Sequence, residues 1–61
     1  MATHEQRLAA YLDGARAFNE QQSIRSNPHA AESGVADAWE QGFRRRRDEV
    51  RAARRARAVA E

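Results

Sequence analysis

Ala38-Trp39-Glu40-Gln41-Gly42-Phe43-Arg44-Arg45-Arg46-Arg47 is the stretch on which the reading of the fold turns. It joins the only tryptophan, a glycine one turn on and a second aromatic to an unbroken arginine run. The first half has the composition of a helix that packs on another helix; the second half has that of a surface meeting negative charge. Val35, Ala38, Trp39, Gly42, Phe43 and Val50 recur at helical spacing on one face. The spacing predicts a second helix beginning near Ser33 or Gly34 and running through the arginines.

Upstream, Thr3-His4-Glu5-Gln6 has the form of a capping box, with Thr3 as N-cap and Gln6 at the third helical position. Leu8, Tyr11, Leu12, Ala15 and Phe18 follow at one-face spacing, which predicts a first helix over about residues 4–22. Tyr11-x-x-Gly14 in that helix repeats the pattern of Trp39-x-x-Gly42. Glycine inside a helix costs about 1 kcal/mol relative to alanine, so two of them facing aromatics imply a close approach of two backbones. Tyr11, Gly14, Phe18, Trp39, Gly42 and Phe43 are therefore the expected contact of the two helices, each aromatic lying over the other helix's glycine. Between them, residues 23–33 break the pattern. Ser26-Asn27-Pro28 is a turn signal, and Pro28 pushes Asn27 out of the helical region.

The expected fold is all-α: an antiparallel two-helix hairpin with a proline-containing loop and a longer, arginine-rich second helix. Residues 1–50 form the hairpin. Residues 51–61 form a basic helical extension, alanine-rich, frayed, and ordered fully by a partner. A core of this size predicts a marginal monomer, a homodimer, or a chain that is firmest on its partner.

Every basic residue is arginine, which reconciles a formal charge of +2 with a sequence pI near 10.4. The distribution says more than the total. Residues 1–42 hold three arginines against six carboxylates; residues 43–61 hold eight against three. This asymmetry points to a polyanion at the basic end. On a helical wheel Arg44, Arg47, Arg51, Arg54 and Arg55 fall within about 100° of one another, flanking the apolar face. Arg46 lies on the apolar face itself, which is tolerable only where the first helix has ended or an anion is supplied. Arginine's planar fork grips phosphate at two points and stacks on exposed bases. Arginine-rich segments read RNA largely by shape. The expected RNA-binding residues are Arg25, Asn27 and His29 in the loop with Arg44, Arg45, Arg47, Arg51, Arg54 and Arg55 on the helix.

Other chemistries find little support. The chain has no cysteine, and its glycines at 14, 34 and 42 form no phosphate-cradling loop. Ser23, Ser26 and Ser33 have no evident acid–base partner, and His4 and His29 do not fall at ligand spacing on one helix. The sequence predicts no enzyme, no cofactor and no metal. Without an apolar run of membrane-spanning length, the expected location is the cytoplasm.

The order of these features resembles the ribosome modulation factor family: Tyr11-x-x-Gly14 with Ala17, then Asn27-Pro28-His29, then Trp39-x-x-Gly42-Phe43. The resemblance covers about residues 10–47. Its members are small, basic, two-helix bacterial proteins. It implies a partner, the small ribosomal subunit near the end of its RNA, and a role in hibernation, in which translation is lowered under stress or slow growth. Relatives in the family are reported to inactivate a quinolone antibiotic by ATP-dependent phosphorylation, a second implied alternative. This chain departs from the family at His29, where tyrosine commonly follows the proline, at Phe43, where a second tryptophan is common, and in a longer arginine tail. Beside the resemblance, the residues themselves leave open a protein-interaction module that binds an acidic protein surface.

Overall fold

The structure, a computed structural model, describes residues 2–60. It is all-α: helix α1, His4–Asn19, and helix α2, Ala36–Ala60, are joined by a connection that carries one 3₁₀ turn, Ile24–Ser26. No strand occurs among the described residues.

α1 begins as the capping box requires. The Gln6 backbone N–H donates to Thr3 Oγ1 at 3.1 Å, and the Thr3 backbone N–H donates to Gln6 Oε1 at 2.9 Å. Two of the helix's orphan donors are thereby satisfied. The helix stops at Asn19, three residues before the expected residue 22. The Gln22 N–H bonds to the Ala17 carbonyl at 2.9 Å and the Gln21 N–H to the Phe18 carbonyl at 3.0 Å. This is a Schellman closure, and it requires a left-handed residue after the cap. Gln21 takes that role, with φ of 63°. Glutamine rarely marks such a stop, so the sequence concealed it. α2 starts at Ala36, two or three residues later than the expected Ser33 or Gly34, with the Trp39 N–H donating to the Val35 carbonyl.

The helices pack at the two glycines. A Cβ on Gly14 would overlap the Trp39 carbonyl oxygen and lie 2.8 Å from its carbon; a Cβ on Gly42 would overlap the Tyr11 carbonyl oxygen and lie 2.7 Å from its carbon. The contact is reciprocal. Each aromatic-x-x-Gly motif offers the carbonyl of its aromatic residue to the other's glycine. Backbone, rather than the expected aromatic ring, fills each notch. No side chain larger than hydrogen fits there.

That close approach sets which faces are buried. On α1 the packing face is Ala10, Gly14 and Ala17, not the bulkier Leu8–Leu12 line the periodicity suggested. Leu8 and Leu12 are 51% and 58% exposed. Helices whose backbones touch need small residues at the seam, so the large apolar side chains are turned to its flanks. On α2, Trp39 is 2% exposed and Phe43 6%. Trp39 stacks on Phe43 with ring centroids 5.5 Å apart, and Phe18 meets Phe43 edge-to-face at 5.4 Å. Phe18, Ile24 and Val35 close over this cluster.

The direction of the helices differs from the antiparallel expectation. Gly34, just before α2, lies against Ala2, just before α1. Farther along, Arg46 Nε donates to Asn19 Oδ1 at 2.8 Å. Both helices therefore run from a shared N-terminal end and cross in the same general sense. The connection must travel back along α1, about 24 Å for sixteen residues of helix. Helix hairpins are usually joined by 2–8 residues. The segment between Asn19 and Ala36 is much longer and reaches easily. Asn27 pins it: its Nδ2 donates to the Ala36 carbonyl at 3.0 Å, and its Oδ1 accepts the His29 N–H at 3.0 Å.

Candidate nucleic-acid interface

α2 is continuous from Ala36 to Ala60, so the packing segment and the basic segment are one helix. The C-terminal end of α1 lies beside Arg46 and Val50, and beyond that level α2 runs on uncovered, with residues 51–58 exposed. Glu61, the last residue of the expected extension, lies outside the described residues.

The arginines divide by their surroundings. Arg44 pairs with Glu40 one turn back, and both are solvent-accessible, so the pair contributes about 0.3–0.5 kcal/mol. Arg47 is half-buried and reaches Asp48 only at 3.4 Å, a long and weak contact. Arg46, on the apolar face as the wheel predicts, is half-buried and held by the Asn19 amide. The end of α1 answers the difficulty of placing it there. Its last carbonyls carry partial negative charge, and the shared direction of the helices brings that end to α2's arginines. Arg45, Arg51, Arg54 and Arg55 are exposed and make no ion pair among the described residues.

Arg44, Arg47, Arg51, Arg54 and Arg55 follow one side of α2 over about 16 Å. Arg45 points away from that stripe by about 100°. The loop residues are deployed differently. Arg25 is exposed in the 3₁₀ turn, where its N–H donates to Ser23 Oγ at 3.1 Å. Asn27 is half-buried and both ends of its amide are engaged in bracing the connection, which makes it a structural residue rather than a free contact. His29 is half-buried at the opposite end of the molecule from the stripe. It lines a hollow of about 500 Å³ with Gln6, Asp13, Ser33 and Val35. Loop and stripe therefore do not form one continuous surface through His29.

A second hollow, of about 380 Å³, opens where α1 ends against α2, between Phe18, Asn19, Gln21, Gln22, Val50 and Arg54. Of these, Phe18, Val50 and Arg54 stood out in the sequence. Asn19, Gln21 and Gln22 were legible only as a polar end to the first helix. Their convergence on Val50 depends on the direction in which α2 crosses α1. Among the described residues no three His, Asp or Glu side chains gather in a metal-binding group, and no helix is long and apolar enough to cross a membrane.

Compared with protein-family models, with curated proteins and with solved structures, the chain gives no match.

Proposed function

We propose that this chain is a cytoplasmic RNA-binding protein of the ribosome modulation factor kind. In this reading it binds small-subunit ribosomal RNA through the α2 stripe and lowers translation when growth slows. One observation carries the RNA reading: exposed arginines with no carboxylate partner among the described residues continue along α2 past the end of α1. Unpaired guanidinium groups in a row repel one another, and phosphate oxygens accept from them in pairs. The ribosomal part of the proposal rests on the resemblance. The motifs that carry it, Tyr11-x-x-Gly14 and Trp39-x-x-Gly42, are the ones at which the two helices cross.

Sedimentation of the purified chain with ribosomes through sucrose gradients tests this. Co-migration with the small subunit at low salt, released as salt rises, is the expected result. Absence from the small-subunit fractions at low salt overturns it.

A second reading is favoured by a separate observation. Leu8 and Leu12, one turn apart, are both more than half exposed, an apolar pair suited to a protein partner. On that reading the chain is a protein-interaction module whose arginines meet an acidic surface. Pull-down before and after nuclease separates the two, because a partner bridged by RNA is lost on digestion and a directly bound protein is kept.

A further inference from the structure

The hollow at the end of α1 borders the arginine stripe at Arg54 and differs from the stripe in kind. Its floor is apolar, from Phe18 and the half-buried Val50. Its rim carries three side-chain amides and one guanidinium, with no carboxylate. We propose that it receives one unstacked nucleobase of a single-stranded RNA whose neighbouring phosphates lie along the stripe. The proposal rests on the RNA-binding reading and adds a place where a base, not a phosphate, is recognised.

The floor is fixed before any ligand arrives. Phe18 is held edge-to-face on Phe43, with planes at 87°, and Phe43 is stacked on Trp39. A base settling there would not have to order the aromatic wall, which lowers the cost of binding. A volume of about 380 Å³ falls within the range of small-ligand sites. Arg54 offers a planar group able to stack on a base face while remaining in line with the stripe.

The rim amides have hydrogen-bonding capacity left over. Asn19 Oδ1 is taken by Arg46, leaving its amino group free, and Gln22 Nε2 is taken by Glu20 at 3.2 Å, leaving its carbonyl. The Gln21 side chain makes no hydrogen bond among the described residues, so both donor and acceptor are open. Side-chain amides pair with the mixed donor–acceptor edges of bases. Gln21 is also the residue with φ of 63°, where glycine would relieve the backbone. A side chain is kept where the backbone disfavours one, and it borders this hollow. An inorganic anion would engage Arg54 and leave the apolar floor unused; a flat heteroaromatic ring uses floor, rim and guanidinium together.

The test measures fluorescence anisotropy of the full chain with labelled single-stranded eight-nucleotide RNAs. Each of the four homopolymers is compared with an oligomer of the same backbone lacking bases. Intact RNA is expected to bind about tenfold or more tightly than the abasic oligomer, the scale of one stacked base. One homopolymer is expected to bind best. The Gln21→Gly variant is expected to lose that preference, with an unchanged salt slope and a melting temperature no lower than wild type. Equal binding of intact and abasic oligomers, with the salt slope kept, overturns the base site and leaves the stripe standing. So does a Gln21→Gly variant that retains the preference. No binding of any oligomer at low salt overturns both this proposal and the RNA reading beneath it.

Discussion

Around Gly14 and Gly42 the protein admits only backbone, small side chains and two stacked rings. From Arg51 to Ala58 on the same α2 every residue is exposed. The first region is stabilised by exclusion: two notches with no room for a single methyl, with Trp39 and Phe43 sealed beneath them. The second has alanines and arginines that favour helix, and its arginines make no ion pair among the described residues. The contrast teaches that stability and binding are separable along one continuous helix. They meet only at the seam where Asn19 holds Arg46 and Phe18 faces Val50.

Four sets of substitutions press on this contrast. Trp39→Ala removes the most buried side chain and is expected to cost about 3–5 kcal/mol, enough to unfold a marginal domain, as thermal melts by circular dichroism will read. Gly14→Ala and Gly42→Ala, tested separately, are each expected to cost about 3 kcal/mol, because the new Cβ meets a backbone carbonyl that cannot move aside. Should either alanine variant melt like wild type, the reciprocal contact is not the centre of the fold.

The remaining two probe the other region. Replacing Arg51, Arg54 and Arg55 with Gln is expected to leave the melting temperature within a few degrees. It should weaken RNA binding at every sequence tested and lower the slope of log affinity against log salt by about 3. Comparable losses of helicity and of binding would erase the division between the regions. The smallest effect is expected from Leu8→Gln with Leu12→Gln: about 0.5 kcal/mol or less each, since both side chains already face water. Losses of 2 kcal/mol or more by chemical denaturation would mean that these leucines are covered, by the second copy of a homodimer or by a different packing of α1.

Much of this was legible from residues whose roles are local. Thr3 and Gln6 announce the start of α1 because a capping box is closed within four residues. The arginine stripe is legible because helical periodicity places its members without reference to α1. The glycine notches were legible as a pairing, though not that carbonyls would fill them. The turning of Leu8 and Leu12 away from the seam was hidden, because periodicity marks large apolar residues while a backbone-to-backbone crossing selects small ones. The end of α1 was hidden by a glutamine in a glycine's conformation.

By itself the sequence determined two helices, the motifs by which they touch, and a row of cations that outnumbers the carboxylates around it. The tertiary structure alone decided the direction of crossing. A reciprocal contact between two aromatic-x-x-Gly motifs is satisfied by either direction, because each motif gives a carbonyl and takes one. What breaks the tie is the long connection, folded back along α1 and pinned by Asn27 on Ala36, a set of contacts between residues far apart in sequence. That choice brings the end of α1, and with it Phe18 and Gln21, to Arg54.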